Sequence, residues 1–203
     1  MKYSAIVLKR VEERVTAMKQ LEVDLATPIY IFDAIEGNDY AHLFNGFTHI
    51  RRDQKFTPGM IGCLLSHIEL LKSDFDRLCI FEDDCEFIGK KDALLDFIES
   101  APAYDILCLG TSEHVDFKPY NSSFVKVTRF WGAHAFIITK KAAIAVLEIY
   151  ENYMKQKLFL PADWLYSYAI SEKGLVAYAP FKPKQFFQQK IGFVSTATGG
   201  IRR

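Results

Sequence analysis

Leu78-Cys79-Ile80-Phe81 runs without a break into Glu82-Asp83-Asp84, four apolar residues followed by three carboxylates. A short apolar run of this kind reads as a buried strand, and its abrupt end puts acidic groups at the strand's carboxyl edge. In open α/β sheets that edge is where ligands bind. Three adjacent carboxylates repel one another unless a cation or a proton intervenes. A divalent ion with oxygen ligands relieves that repulsion and can in turn hold a diphosphate. Strand alternation sends Glu82 and Asp84 to one side and Asp83 to the other. Glu82 and Asp84 are therefore the expected metal pair, suited to one octahedral ion such as Mn2+ or Mg2+, and Asp83 is expected to matter least. The competing reading is a solvated acidic loop or a helix start, where Asp and Glu are common.

The segments around this strand alternate between strand and helix patterns. Tyr3 to Leu8 reads as a first strand, Glu12 to Val23 as a helix and Ile29 to Phe32 as a second strand ending at Asp33. This is a β-α-β opening, the unit that builds a parallel sheet. Glu36-Gly37-Asn38-Asp39 is a turn signal. Thr57 is placed to cap a helix with Pro58 at its first position, and Met60, Leu64, Ile68 and Leu71 recur at helical spacing. A helix is expected near Lys91 to Glu99, a third apolar strand over Tyr104 to Leu109, and a loop over Thr111 to Ser123. Phe124 to Val127 and Ala135 to Ile138 read as strands around a turn at Trp131-Gly132. Thr139 then caps a helix whose buried stripe is Ala143, Leu147, Tyr150 and Met154. A connector at Leu160 to Asp163 leads to a helix ending near Glu172, a last strand spans Leu175 to Ala179, and the remainder reads as an extended tail. With no internal repeat, low-complexity tract or linker, residues 1–203 form one α/β domain with a mostly parallel central sheet flanked by helices.

Composition narrows the function classes. Half of the residues are hydrophobic, a quarter are charged and the formal net charge is zero, so no global electrostatic argument favours nucleic acid. Charge is unevenly placed, because no acidic residue follows Glu172 while Lys173, Lys182, Lys184, Lys190, Arg202 and Arg203 do. The basic tail from about residue 181 is either a solvated end or a peripheral contact to an anionic membrane face. Cys63, Cys79, Cys85 and Cys108 form no CxxC pair, and two of them sit inside apolar runs, which points to free thiols in a reducing, cytoplasmic setting. No signal peptide pattern precedes the first strand and no apolar stretch is long enough to span a bilayer.

Three further constellations bear on the same cleft. Ser66 and His67 lie on the helix just before the acidic strand, within reach of its end; His67 is either a phosphate or sugar contact or a satisfied packing residue. Gly62 on that helix allows a close approach. In Trp131-Gly132-Ala133-His134, Gly132 lets backbone approach a ligand and Trp131 offers a face for a sugar ring, or serves as a core residue beside a turn. Asp163 opens a helix after Pro161, where capping is its ordinary role.

Taken in order, these pieces resemble glycosyltransferase family 25, which includes bacterial lipooligosaccharide galactosyltransferases and the catalytic halves of collagen galactosyltransferases. The resemblance is carried by Leu8 to Arg14, Phe32-Asp33-Ala34-Ile35-Glu36-Gly37, Thr57-Pro58-Gly59-Met60-Ile61-Gly62-Cys63-Leu64-Leu65-Ser66-His67 and Ile80-Phe81-Glu82-Asp83-Asp84. It continues through Tyr104 to Gly110, Gly132 to Ile138 and Pro161-Ala162-Asp163. Val7 stands where the family usually carries Asn. The resemblance implies a GT-A fold and an inverting, Mn2+- or Mg2+-dependent transfer from a UDP-sugar, with galactose as the sugar, to a glycan or glycolipid acceptor. It implies Asp84 as metal ligand, Glu82 on the metal or the donor ribose, Arg14 and Asp33 near the nucleotide, and Asp163 as the base. Ser66, His67 and His134 complete the set of candidate donor contacts. Collagen-type hydroxylysine transfer and a non-catalytic nucleotide-sugar-binding module remain as alternatives; a metal-dependent phosphoesterase ranks last, because His67 and His134 are few ligands for one.

Overall fold

The computed structural model describes residues 1–190. The chain opens as β1 (Lys2–Val7), α1 (Glu12–Leu25) and β2 (Tyr30–Asp33), and continues through α2 (Gly37–Tyr40), a 3-10 turn at Ala41–Phe44, β3 (Thr48–His49) and α3 (Pro58–Leu71). The acidic strand is β4 (Arg77–Glu82), followed by β5 (Cys85–Phe87), α4 (Lys91–Glu99), β6 (Ile106–Gly110), β7 (Glu113–Pro119), β8 (Phe124–Trp131) and β9 (Ala135–Thr139). Then come α5 (Lys140–Lys155), β10 (Leu158–Phe159), α6 (Ala162–Lys173), β11 (Ala177–Pro180) and β12 (Phe187–Gln189).

An eight-stranded sheet in the order β2-β1-β4-β9-β6-β11-β8-β7 forms the middle layer. The α/β architecture with flanking helices is the one expected from the sequence. Pairing is parallel along β2-β1-β4 and between β6 and β11. It is antiparallel wherever β8 or β9 takes part, so the sheet is mixed. β9 sits between β4 and β6, and this insertion brings the start of β9 beside the carboxyl end of β4.

Both sheet faces are covered, which is why the central strands are apolar at every position rather than at alternate ones. Leu78 and Ile80 of β4, Ile106 and Cys108 of β6, and Phe136 and Ile138 of β9 join the core under α3, α5 and α6. Their neighbours Cys79, Phe81, Leu107, Leu109 and Ile137 join a second core under α1 and α4. Thr57 caps α3 by accepting the Met60 N–H at 3.2 Å, and Thr139 caps α5 by accepting that of Ala142 at 3.2 Å.

Several local expectations change. The segment read as a loop over Thr111 to Ser123 contains β7, which among the described residues is an edge strand paired with β8 alone. The strands flanking Trp131-Gly132 do not pair with each other, since β8 runs beside β11 and β7 while β9 enters the sheet centre. On α5 the fully buried residues are Ala142, Ala143, Val146 and Ile149, and Leu147, Tyr150 and Met154 flank them half-buried. The end of the chain is not simply extended. β12 returns antiparallel to β5 and seals Phe187 against Phe81 and Phe87. Of the expected basic tail, Arg202 and Arg203 lie outside the described residues. Among the described residues no helix is long and apolar enough to cross a membrane.

Candidate active site

Glu82 ends β4 on the face that carries Ile80, which turns its side chain toward α3 and α6. Its backbone N–H donates to the His134 carbonyl at 2.9 Å, fixing the entry to β9 beside it. One carboxylate oxygen, Oε1, lies 3.2 Å from His67 Nε2, and the other, Oε2, lies 3.5 Å from His134 Nδ1. Each imidazole is oriented from behind: His67 Nδ1 is 2.9 Å from the Tyr166 hydroxyl, and His134 Nε2 is 2.9 Å from Ser112 Oγ. Burial by itself raises the Glu82 carboxyl, but the facing His134 and His67 outweigh it and hold the group well below the ordinary carboxylate range.

The strand stops at Glu82, so Asp83 and Asp84 occupy the turn into β5 rather than continuing the alternation. Asp83 is almost wholly buried, where it accepts the Leu8 N–H at 3.0 Å and pairs with the Arg14 guanidinium. Burial pushes its carboxyl up to about 6, against the pull of Leu8 and Arg14. Asp84 faces the cleft and meets the Gln189 side chain of β12. Asp163 opens α6 with Oδ2 accepting the Gly132 N–H at 3.1 Å and Oδ1 accepting the Trp164 N–H at 2.9 Å. Burial pushes the Asp163 carboxyl up, and the nearby Glu82 charge adds to this.

These groups line one cavity of about 560 Å³, which Arg14, Ser66, His67, Glu82, Asp84, His134 and Asp163 all border. Of the residues singled out from sequence, Asp33 is the exception. It is exposed at the end of β2, 3.9 Å from Lys9 Nζ, and does not line the cavity. Ser66 borders it but acts as a brace, donating to the Gly62 carbonyl at 2.7 Å and accepting the Ile35 N–H at 2.8 Å. Trp131 packs against Trp164 in a tilted arrangement, with centroids 4.9 Å apart, and it is Trp164 that reaches the cavity. Gly62 and Gly37 bring α3 against the backbone of residues 35–37 so closely that a Cβ on either would collide with main chain. Gly132 adopts φ +66°, and a Cβ there would come within 2.7 Å of the His134 ring.

Glu82, Asp84 and His134 bring ligand atoms within 4.8 Å of one another. His134 Nδ1 is buried without a hydrogen-bond partner among the described residues and faces Glu82 Oε2. Two carboxylates and an imidazole are a donor set that a divalent ion such as Mn2+ accepts, so the residues present fit one. Cys63, on α3, borders the same cavity with Sγ 3.8 Å from Glu82 Oε1. Sequence reasoning passed over Cys63, Ser112, Trp164 and Gln189. Cys63 lay in a quoted motif, whereas Gln189 arrives through the pairing of β12, for which no local signal exists.

Residues 1–166 match the family model for glycosyltransferase family 25, described as LPS biosynthesis proteins. The chain belongs to glycosyltransferase family 25. No curated protein matches this glycosyltransferase in sequence. Its structure is similar to that of S. aureus TarS residues 1–349 in complex with UDP-GlcNAc, with TM-score 0.50 and 11% identity over 99% of this chain and 62% of that one. Galactosyltransferase LgtC, in complex with donor and acceptor sugar analogs, gives TM-score 0.48 at 12% identity over 84% of this chain and 70% of that one. A Drosophila β-1,4-galactosyltransferase 7 mutant in complex with manganese, UDP-Gal and xylobiose gives 0.45 at 12% over 93% and 71%. The TarS likeness is one of fold.

Proposed function

We propose that this glycosyltransferase is a metal-dependent, inverting enzyme that moves a hexose, galactose, from a UDP-sugar to a hydroxyl of a lipooligosaccharide-type glycan. The observation that carries the reading is that Asp163 and the Glu82–Asp84–His134 set, brought from different parts of the chain, border one cavity. Support for a UDP-linked donor comes from the TarS complex, whose fold is similar and which holds UDP-GlcNAc. The family's description as one of LPS biosynthesis supports a lipooligosaccharide-type acceptor, and galactose rests on the resemblance to lipooligosaccharide galactosyltransferases.

A divalent ion held by Glu82, Asp84 and His134 would neutralise the diphosphate that leaves as the glycosidic bond breaks. The rest of the chemistry falls to the chain. The acceptor oxygen attacks the anomeric carbon from the face opposite the diphosphate, the bond to the diphosphate oxygen breaks, and the hydroxyl proton passes to Asp163. The N–H groups of Gly132 and Trp164 hold the Asp163 carboxylate in place, and its raised affinity for a proton makes it a better base than a solvated aspartate. His67 and His134 keep Glu82 ionised and oriented. Trp164, packed against Trp131, offers an aromatic wall for the acceptor sugar. Lys182, Lys184 and Lys190 follow β11 and would meet an anionic glycolipid surface as a peripheral contact on the cytoplasmic side.

The test is UDP release from a panel of UDP-sugars, with and without Mn2+ and a lipooligosaccharide acceptor. UDP-galactose turnover that needs both the ion and the acceptor is the expected result. Asp84→Ala should abolish the metal-dependent turnover with the fold retained, and normal metal dependence in that variant would overturn the metal assignment.

A further inference from the structure

The two oxygens of Glu82 face two different donor sets. Oε2 looks toward His134 and the side of Asp84, while Oε1 lies 3.2 Å from His67 Nε2 and 3.8 Å from Cys63 Sγ. Cys63, His67 and Glu82 bring one ligand atom each within 4.8 Å of one another, and all three border the cavity. The geometry points to a second cation site at Cys63, His67 and Glu82 Oε1, selective for a thiophilic divalent ion such as Zn2+. It draws on no property of the sugar donor.

Bond lengths support the assignment. Zn–S near 2.3 Å and Zn–N or Zn–O near 2.0–2.1 Å give tetrahedral ligand edges of about 3.3–3.6 Å. The edges at Glu82 Oε1 lie beside that range without any movement of the backbone. The fourth position opens on the cavity, as in zinc sites with three protein ligands. His67 is braced for ligation, because the Tyr166 hydroxyl 2.9 Å from Nδ1 can either donate to it or accept from it. Nε2 can therefore offer an N–H to Glu82 when no ion is bound and its lone pair when one is. Thiolate, imidazole and carboxylate together favour Zn2+ over Mn2+ or Mg2+, which favour oxygen. Ligation breaks the Cys63 S–H bond and releases that proton to solvent. Glu82 would then serve both sites, one oxygen each, so an ion in the thiol site draws on the carboxylate that the oxygen-rich site also uses.

Cobalt(II) is the probe, because a thiolate ligand gives it a charge-transfer absorption in the near ultraviolet. Titrating the full chain with cobalt(II), free of nucleotide, should produce this band, saturating at one equivalent and bleached by Zn2+. Cys63→Ser should lose the band and weaken Zn2+ binding at least tenfold in competition with a chelating dye. Asp84→Ala should keep the band. Absence of the band in the native chain, its survival in Cys63→Ser or its loss in Asp84→Ala would each overturn the site. A further measurement needs no variant. Cys79, Cys85 and Cys108 are buried and Cys63 is half-buried, so Cys63 should be alkylated first, and Zn2+ should slow that reaction at least tenfold by peptide mass spectrometry. An unchanged rate would also overturn the site.

Discussion

Asp83 and Asp163 show how two carboxylates of one cleft take opposite roles. Asp83 is locked against Arg14 with both groups buried. Removing one partner of a buried pair leaves an uncompensated charge, at a cost of about 3–5 kcal/mol. Arg14→Met should therefore destabilise the chain by about that much in urea unfolding, and adding Asp83→Asn should recover a large part of the loss. An additive double variant would show that the pair is not coupled. Burial and the nearby Glu82 charge raise the Asp163 carboxyl. As a base it must be ionised, so kcat/KM should fall as pH drops through a value above the ordinary aspartate pKa of about 3.9. Asp163→Asn should lose transfer by several orders of magnitude across the whole profile while retaining donor binding. The folded pKa lies above the unfolded one, so the protonated carboxyl stabilises the fold at low pH and that contribution is lost as pH rises. Relative to Asp163→Asn, the native chain should become less stable as pH rises above the ordinary aspartate pKa of about 3.9, and an opposite slope would contradict the buried placement.

α3 is the element on which the site depends most, since it carries Cys63, Ser66 and His67 along one side. Its position is set at Gly62, where main chain of residues 35–37 occupies the space of a side chain. Backbone cannot yield as a flexible side chain can, so Gly62→Ala should cost about 1–3 kcal/mol or more and displace His67 from Glu82. Circular dichroism melts and donor KM would both report it, and a variant with native stability and KM would show that the contact is relaxed at no cost. Much of this element was legible locally, because Thr57 and Pro58 mark its start and Leu64, Ile68 and Leu71 mark its buried face. β4, β6 and β9 were equally legible, as apolar runs covered on both faces. β7 was not, because Glu113, Asp116 and Lys118 are exposed on a strand that, among the described residues, lies at the sheet edge beside β8, a pattern that locally matches a loop. The strand ends at Glu82, so Asp83 and Asp84 lie in a turn whose course strand alternation alone does not set.

At the scale of the molecule, the cleft is closed by a segment far from it in sequence. β12 lays Phe187 between Phe81 and Phe87, with ring centroids at 5.5 and 5.2 Å, and in the same stroke carries Gln189 to Asp84. A three-residue strand has little intrinsic preference to form, so its register is set by Phe187 sinking beside Gly110, where a Cβ would strike Phe187 at 2.5 Å. That dependence on partners from β4, β5 and β6 is why nothing local in the sequence announced it. Phe187 is fully buried, and a Phe→Ala change in such a place costs about 3–5 kcal/mol. For a chain of this size each kcal/mol lowers Tm by about 2–4 °C, so Phe187→Ala should melt about 6–20 °C lower. The loss should also reach the site, because releasing β12 frees the turn at Asp83-Asp84 that Gln189 and the Lys190 N–H hold. Gln189→Ala removes only the side-chain contact and should leave Tm within a few degrees of native. If β12 positions Asp84, both variants should raise the Mn2+ concentration needed for half-maximal turnover, Phe187→Ala the more strongly. A Phe187→Ala enzyme that melts early yet keeps native Mn2+ dependence would confine β12 to packing, and Asp84 would then be held by its own turn alone.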